Sequence, residues 1–298
     1  MKGKLTISVD LELAWGVWDE LTPERLRLAE DAERPICAAL IELFDRHAIR
    51  ATWAMVAALL DEKSSEARPG AKGCWYAPDI VERLLAAKTQ HEIGSHGGHH
   101  VYYDEIDAAS AGEDLAFARN IHRRSDLPFV SMVFPRNTIG HLPELEKAGL
   151  RVFRGPDAGP VTTLRKAVRP LGQAANLADK LLPFPPPLVH AARRGAMIEV
   201  PGSMLLIGRN GLRRFVLPTV TRAKLERGLA RARSHGGVFH VWFHPSNFYY
   251  RRDEQLDTLD WFLERAADEA ARGHIDVLTM GAYADSQSTE RSSPAMAS

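Results

Sequence analysis

Short runs of β-branched and apolar residues alternate with amphipathic helical stretches along nearly all of the 298 residues, and a chain so patterned has few ways to fold. Strand-like runs stand at residues 5–9, 50–56, 129–134, 150–153, 197–200, 237–243 and 275–279. Helical patterns stand at 35–47, 78–88, 107–124, 142–148, 222–235 and 254–272. Repetition of strand and helix predicts an α/β fold, either a (β/α) barrel or a doubly wound parallel sheet. No GxGxxG follows the first strand and no GxxxxGK[ST] occurs, so the nucleotide-binding versions of these folds lose their support.

Residues 161–194 break the rhythm. They are rich in Ala, Leu and Lys and then run Pro183-Phe184-Pro185-Pro186-Pro187, which predicts an inserted helix and loop over one face. Residues 1–284 are expected to form one domain. Residues 285–298 carry no aromatic or branched aliphatic side chain and are expected to be a disordered tail.

Charge points to no partner. Lys plus Arg and Asp plus Glu number 38 each, so no overall field recruits nucleic acid or an anionic membrane. No stretch reaches the roughly twenty apolar residues of a membrane span, and the N-terminus lacks the apolar core of a signal peptide. The two cysteines, Cys37 and Cys74, are far apart and read as small buried hydrophobes in a reducing compartment. A cytoplasmic protein is expected, and a homo-oligomer is compatible with the sequence.

The densest chemistry lies in His91-Glu92-Ile93-Gly94-Ser95-His96-Gly97-Gly98-His99-His100. His96 and His100, four residues apart, can be aimed at one point by a helical turn or a tight loop, as paired metal ligands require. Gly94, Gly97 and Gly98 permit close backbone approach around them, and His99 between them reads as supporting. The first strand ends on Asp10-Leu11-Glu12, whose two carboxylates would share one side of an extended chain. Two imidazoles and one carboxylate leave coordination positions open for water and substrate, as a catalytic zinc-type site needs. In the strand His240-Val241-Trp242-Phe243-His244, alternation puts His240, Trp242 and His244 on one face. Trp15 and Trp18 could stack on a sugar or lie in the core, and Tyr102, Tyr103, Asn247, Phe248, Tyr249, Arg154 and Asp157 are further candidates near these runs.

The ordered set Thr6-Ile7-Ser8-Val9-Asp10-Leu11-Glu12, the histidine run, Phe134-Pro135-Arg136-Asn137 and Phe239-His240-Val241-Trp242-Phe243-His244-Pro245 resembles the NodB-homology polysaccharide deacetylases. The resemblance implies a distorted (β/α) barrel that hydrolyses an N-acyl, chiefly N-acetyl, group from an amino sugar. It also implies a divalent metal, Zn²⁺ first and Co²⁺ or another ion as alternatives, held by Glu12, His96 and His100. Asp10 would then be the catalytic base, Arg136 the arginine that orients it, and His244 the general acid. Two departures stand out: the usual adjacent aspartates are replaced by Asp10 and Glu12 with Leu11 between, and Val101 stands where proline is common after the second histidine. The division of roles between the two carboxylates stays open. Cyclic-imide or ureide hydrolysis, as in allantoinase-like members, and a non-catalytic glycan-binding descendant are the alternatives.

Overall fold

The structure, a computed structural model of the chain, describes residues 2–158 and 181–292. Its strands are β1 (Gly3–Leu11), β2 (Thr52–Met55), β3 (Glu92–Ser95), β4 (Ser131–Val133), β5 (Val152–Gly155), β6 (Ala192–Arg194), β7 (Met197–Pro201), β8 (Met204–Leu205), β9 (Val238–Phe243) and β10 (Ile275–Val277). The helices are α1 (Pro23–Asp31), α2 (Glu33–His47), the single turn α3 (Glu62–Ser65), α4 (Pro78–Leu85), α5 (Ala108–Arg124), α6 (Leu142–Ala148), α7 (Pro218–His235), α8 (Arg252–Ala271) and α9 (Met280–Ser292).

The strands form one sheet in the order β6-β7-β5-β4-β3-β2-β1-β9-β8, with β10 also on β1, and every pairing is parallel except β6 with β7. β7 and β8 stand near its two ends yet follow each other in the chain through Gly202 and Ser203. The sheet therefore curls round until its ends nearly meet, without a ladder between them among the described strands. This is a distorted (β/α) barrel, the one of the two α/β folds compatible with the alternation that the motif resemblance implies.

Strand alternation sorts the side chains of β1 into two environments. Leu5, Ile7, Val9 and Leu11 join the cluster that includes Ile36, Leu40 and Phe44 of α2 and Leu259, Phe262 and Leu263 of α8. Thr6, Ser8 and Asp10 point the other way and are buried too. β9 repeats the pattern, with Phe239, Val241 and Phe243 in the apolar cluster and His240 and Trp242 between them. A polar interior at this depth is costly unless its groups find partners, so the barrel lumen is where the chemistry has to be.

Three regions depart from the sequence expectation. Helix α9 runs on to Ser292, so the tail expected from Asp285 is helical for most of its length, and residues 293–298 lie outside the described residues. The helix is anchored by burial of Met280, Tyr283 and Ala284 and by bonds from the Met280 and Gly281 amides to Thr52 Oγ1 and Glu92 Oε2, both 2.8 Å. Arg151 also pairs with Asp285 at 2.7 Å. Of the insertion expected at 161–194, residues 161–180 lie outside the described residues. The rest runs without helix from Pro183 and ends in β6, which hydrogen-bonds antiparallel to β7. Finally, a 3₁₀ turn, Leu13–Val17, follows β1 directly and closes over the carboxylate of Glu12.

Candidate metal centre and active site

The C-terminal ends of β1, β2, β3, β4, β5 and β9 converge, and the candidate residues leave the sheet there, where barrel folds concentrate their chemistry. Glu12 is the first residue after β1. A Cβ at Gly16 would stand 2.0 Å from Glu12 Oε1, so only glycine lets the following turn lie against this carboxylate. His96 is the first residue after β3, and its amide donates to Met55 O at 2.8 Å.

The four-residue spacing of His96 and His100 is a loop here and not a helical turn. Gly97 (φ 80°) and His100 (φ 58°) both take left-handed conformations, rare for histidine, which has a Cβ. The loop is held from two sides. Ala57 and Ala58 donate to the carbonyls of Gly97 and Gly98 at 3.0 and 2.9 Å. From α5, Asp114 accepts from the amides of Gly98 and His99 at 2.7 and 3.0 Å and from the Tyr103 hydroxyl at 2.9 Å. His99 turns its ring to Asp114, 3.2 Å away, and to Phe117, so it supports the loop and faces away from the centre.

Ligand atoms of Glu12, His96 and His100 lie within 4.8 Å of one another, and all three residues are buried. His96 Nε2 is 3.2 Å and His100 Nε2 3.1 Å from the same oxygen, Glu12 Oε2. Two ligands each about 2.1 Å from one ion, at angles between octahedral and tetrahedral, stand about 3.0–3.4 Å apart. The measured separations match. His96 Nδ1 lies 2.8 Å from Val133 O, so the backbone takes the Nδ1 proton and leaves Nε2 as the atom that faces Glu12 and would ligate an ion. The donor set therefore fits a divalent ion of the zinc type.

The three groups also set one another's charges: Glu12 and His100 are pushed toward their ligand forms, and His96 toward its protonated form. Burial pushes the Glu12 carboxyl up, but the charge of His244 and the bonds from His100 and His96 hold it well below its ordinary value. Burial lowers the imidazole of His100. His96 is raised because its bond to Glu12 and the charge of Asp10 outweigh the same burial.

Asp10, pointing into the lumen, is gripped by Arg154 from β5: Nη1 donates to Oδ1 at 2.7 Å and Nη2 to Oδ2 at 2.6 Å. This is the bidentate arrangement that fixes a carboxylate's orientation. The expectation that Arg136 does this is corrected. Arg136 is 41% exposed, donates to Asp19 at 2.9 Å and lies over the Tyr102 ring, whereas Arg154 is 1% exposed. After Pro135 both Arg136 and Asn137 take left-handed conformations, and it is Asn137 that reaches Arg154, accepting from Nη2 at 3.0 Å. Sequence reading noted Arg154 without assigning it. Its signal was an arginine inside an otherwise apolar strand.

Arg154 is itself embedded. It stacks over Trp242 at 4.1 Å, and Trp242 Nε1 donates to Asp157 at 2.7 Å. Its Nη1 donates to Ser8 Oγ at 3.0 Å, which leaves the Ser8 hydroxyl to donate to His240 Nε2, 2.9 Å away. His240 Nδ1 then donates to Pro201 O at 3.2 Å. His240 is thus a neutral link in the lumen, pushed down to about 3 by burial and by the charge of Arg154. Burial raises the Asp10 carboxyl, but Arg154 outweighs it and holds the group below its ordinary value.

His244 follows β9 and is the most open member of the group. Its Nε2 stands 3.5 Å from Asp10 Oδ2 and 3.6 Å from Glu12 Oε1, facing both carboxylates. Asn247 fixes the backbone there by accepting from the His244 amide at 2.9 Å. Trp18 stacks on Tyr102 and donates to His100 O at 3.3 Å, so it forms part of the rim. Trp15 is core, packed edge-on to Trp75. A cleft of about 620 Å³ runs outward from Glu12 past Val17, Asn247 and Tyr250 to Glu20, Arg25 and Arg213.

No protein-family model matches the chain, and no curated protein does. Solved structures do. A protein assigned as a polysaccharide deacetylase from Mycobacterium smegmatis is 14% identical with a TM-score of 0.68, over 100% of this chain and 94% of that one. Another so assigned, from Pseudomonas aeruginosa PAO1, is 14% identical with a TM-score of 0.65, over 98% and 92%. Puue allantoinase is 14% identical with a TM-score of 0.64, over 95% and 89%. The likeness is one of fold: the chain has the NodB-type deacetylase fold.

Proposed function

We propose that this chain is a metal-dependent hydrolase that removes an N-acyl group, in the first place N-acetyl, from an amino sugar, and that residues 1–284 are its single catalytic unit. The observation that carries the reading is the convergence of Glu12, His96 and His100 within 4.8 Å, next to an arginine-held Asp10. In the proposal Glu12, His96 and His100 hold the ion, with Zn²⁺ the best match to two imidazoles and a carboxylate. A bound divalent ion supplies a water acidified toward neutrality and a Lewis acid for the amide carbonyl.

The chain's own residues do the rest. Asp10, kept ionised by Arg154, accepts the proton of the attacking water. Arg154 does not touch the substrate; it points the Asp10 carboxylate and prevents it from turning away. His244, 3.5 Å from Asp10 and open to the cleft, donates a proton to the departing amine. The cleft mixes polar side chains with apolar and aromatic ones, Tyr249 and Tyr250 among them, which suits a sugar. Two buried, unpaired cysteines fit the reducing cytoplasm, where the substrate would be a glycan precursor.

Titration of the protein with Zn²⁺, and with Co²⁺ as a spectroscopic stand-in, tests the centre. One equivalent should bind, and His96→Ala or His100→Ala should weaken binding by at least about 100-fold. Unchanged affinity in both variants would remove the metal site. The similarity in fold to an allantoinase favours one second reading, ureide hydrolysis. Release of acetate from N-acetylated amino sugars, set against ring opening of allantoin, separates the two.

A further inference from the structure

We propose that the 3₁₀ turn Gly211–Phe215 seats the protein on an anionic phospholipid bilayer, with the mouth of the Glu12 cleft at the level of the headgroups. Leu212, Phe215 and Leu217 are 67%, 59% and 60% exposed. Single exposed leucines are ordinary, but three large apolar side chains on one short projection, with two arginines among them, make an amphipathic tip. Arg213 and Arg214 have no carboxylate partner among the described residues, and the Arg214 guanidinium lies over the Phe215 ring at 4.9 Å.

The tip is built from beneath. Val216 is buried, its carbonyl accepts from Arg209 Nη1, and Arg209 Nη2 donates to Thr221 Oγ1 at 3.0 Å. The turn is thereby held outward by a buried arginine while its apolar residues stay in solvent. Arg213 also lines the cleft that reaches Glu12, so tip and cleft share a wall. Of the acidic residues lining that cleft, Glu20 pairs with Arg25 and Arg136, while Glu24 keeps its charge and accepts from the Tyr250 hydroxyl at 2.8 Å. The tip itself presents two guanidinium groups and three apolar side chains.

That combination matches a phospholipid surface. Guanidinium groups pair with headgroup phosphates while leucine and phenylalanine enter the acyl boundary. The chain has no net charge, so attraction is local to the tip. Resting on the hydrolase reading, the seat implies that the amino sugar arrives on a membrane-held amphiphilic carrier.

Co-sedimentation of the full chain with vesicles of phosphatidylglycerol and phosphatidylcholine, and with phosphatidylcholine alone, tests the proposal. Binding is expected only with the anionic vesicles. The double variant Arg213→Gln/Arg214→Gln should weaken it roughly thirty-fold, and Leu212→Ser/Phe215→Ser should bring it down to the phosphatidylcholine level. Leu85→Ser, at a leucine 60% exposed on α4, should change nothing, and unaltered melting temperatures exclude misfolding. Absence of anionic-vesicle binding, an equal loss with Leu85→Ser, or sedimentation as a tip-dependent dimer that ignores vesicles overturns the proposal. The hydrolase reading fails separately: vesicle binding that survives without deacylation removes the activity and leaves the seat.

Discussion

Arg136 and Arg154 leave neighbouring strands of one sheet, yet only Arg154 turns into the lumen. At the scale of the residue this yields a sharp contrast. Arg154→Lys keeps the charge but loses the fork that grips both oxygens of Asp10, so kcat should fall by about 100-fold or more with little change in KM. Arg154→Met leaves a buried carboxylate without its partner and should cost about 3–5 kcal/mol of stability in a denaturant melt. Arg136→Gln, at the exposed rim, should change kcat by no more than a few-fold. Equal losses at the two arginines would show that Arg154 does not position Asp10.

Among the elements, the loop between β3 and α5 carries both histidines, and its seat against α5 is tight. A Cβ at Gly98 would stand 2.5 Å from Asp114 Oδ1 and 2.8 Å from Asp114 O, and the second of these is backbone that cannot yield cheaply. Gly98→Ala should therefore lift the loop off α5, cost about 1–3 kcal/mol and weaken Zn²⁺ binding at least about ten-fold. Gly112→Ala, on α5 itself, is the control. Nothing lies within 4 Å of a Cβ there, and a helix-interior glycine replaced by alanine should gain about 0.5–1 kcal/mol without moving metal affinity. Paired thermal melts and metal titrations check both.

Across the whole molecule, buried titratable groups give stability a pH optimum. Burial lowers His91 and His122 to about 4 from an ordinary 6.5. The unfolded chain therefore takes up protons first, so their contribution is complete above pH 6.5 and is lost as pH falls toward 4. Glu33 runs the other way: burial raises it from 4.5 to about 8, against the bond from Tyr249. Its contribution is complete below pH 4.5 and is lost as pH rises to 8. Below pH 6.5 these histidines, joined by His240 at about 3, outweigh one glutamate, and above it Glu33 is the main group whose contribution is lost, with the raised His96 acting in the same direction. Stability should peak near pH 6.5 and decline by about 2 kcal/mol toward pH 8. In Glu33→Gln most of that alkaline decline should be lost, and a decline that persists at full size in urea melts across this range would assign it to other groups.

What the chain order of residues determined by itself is local. Alternation of strand and helix specified an α/β fold, the motif resemblance narrowed it to the barrel, period-two patterning put His240 and His244 on one face, and a four-residue spacing with flanking glycines brought His96 and His100 together. The patterns and the spacing follow from backbone geometry over a few residues. The tertiary structure decided everything that joins distant segments. Arg154 and Asp10 are 144 positions apart, and a pair of left-handed residues after Pro135, which no periodicity reveals, brings Asn137 to Arg154 while Arg136 pairs at the rim. The end of the chain was decided the same way: α9 is helical past Asp285 because its first turn is buried and bonded to β2 and β3, partners that composition cannot supply. Local patterns carry their own geometry; the pairing of buried charges is settled only when the lumen closes around them.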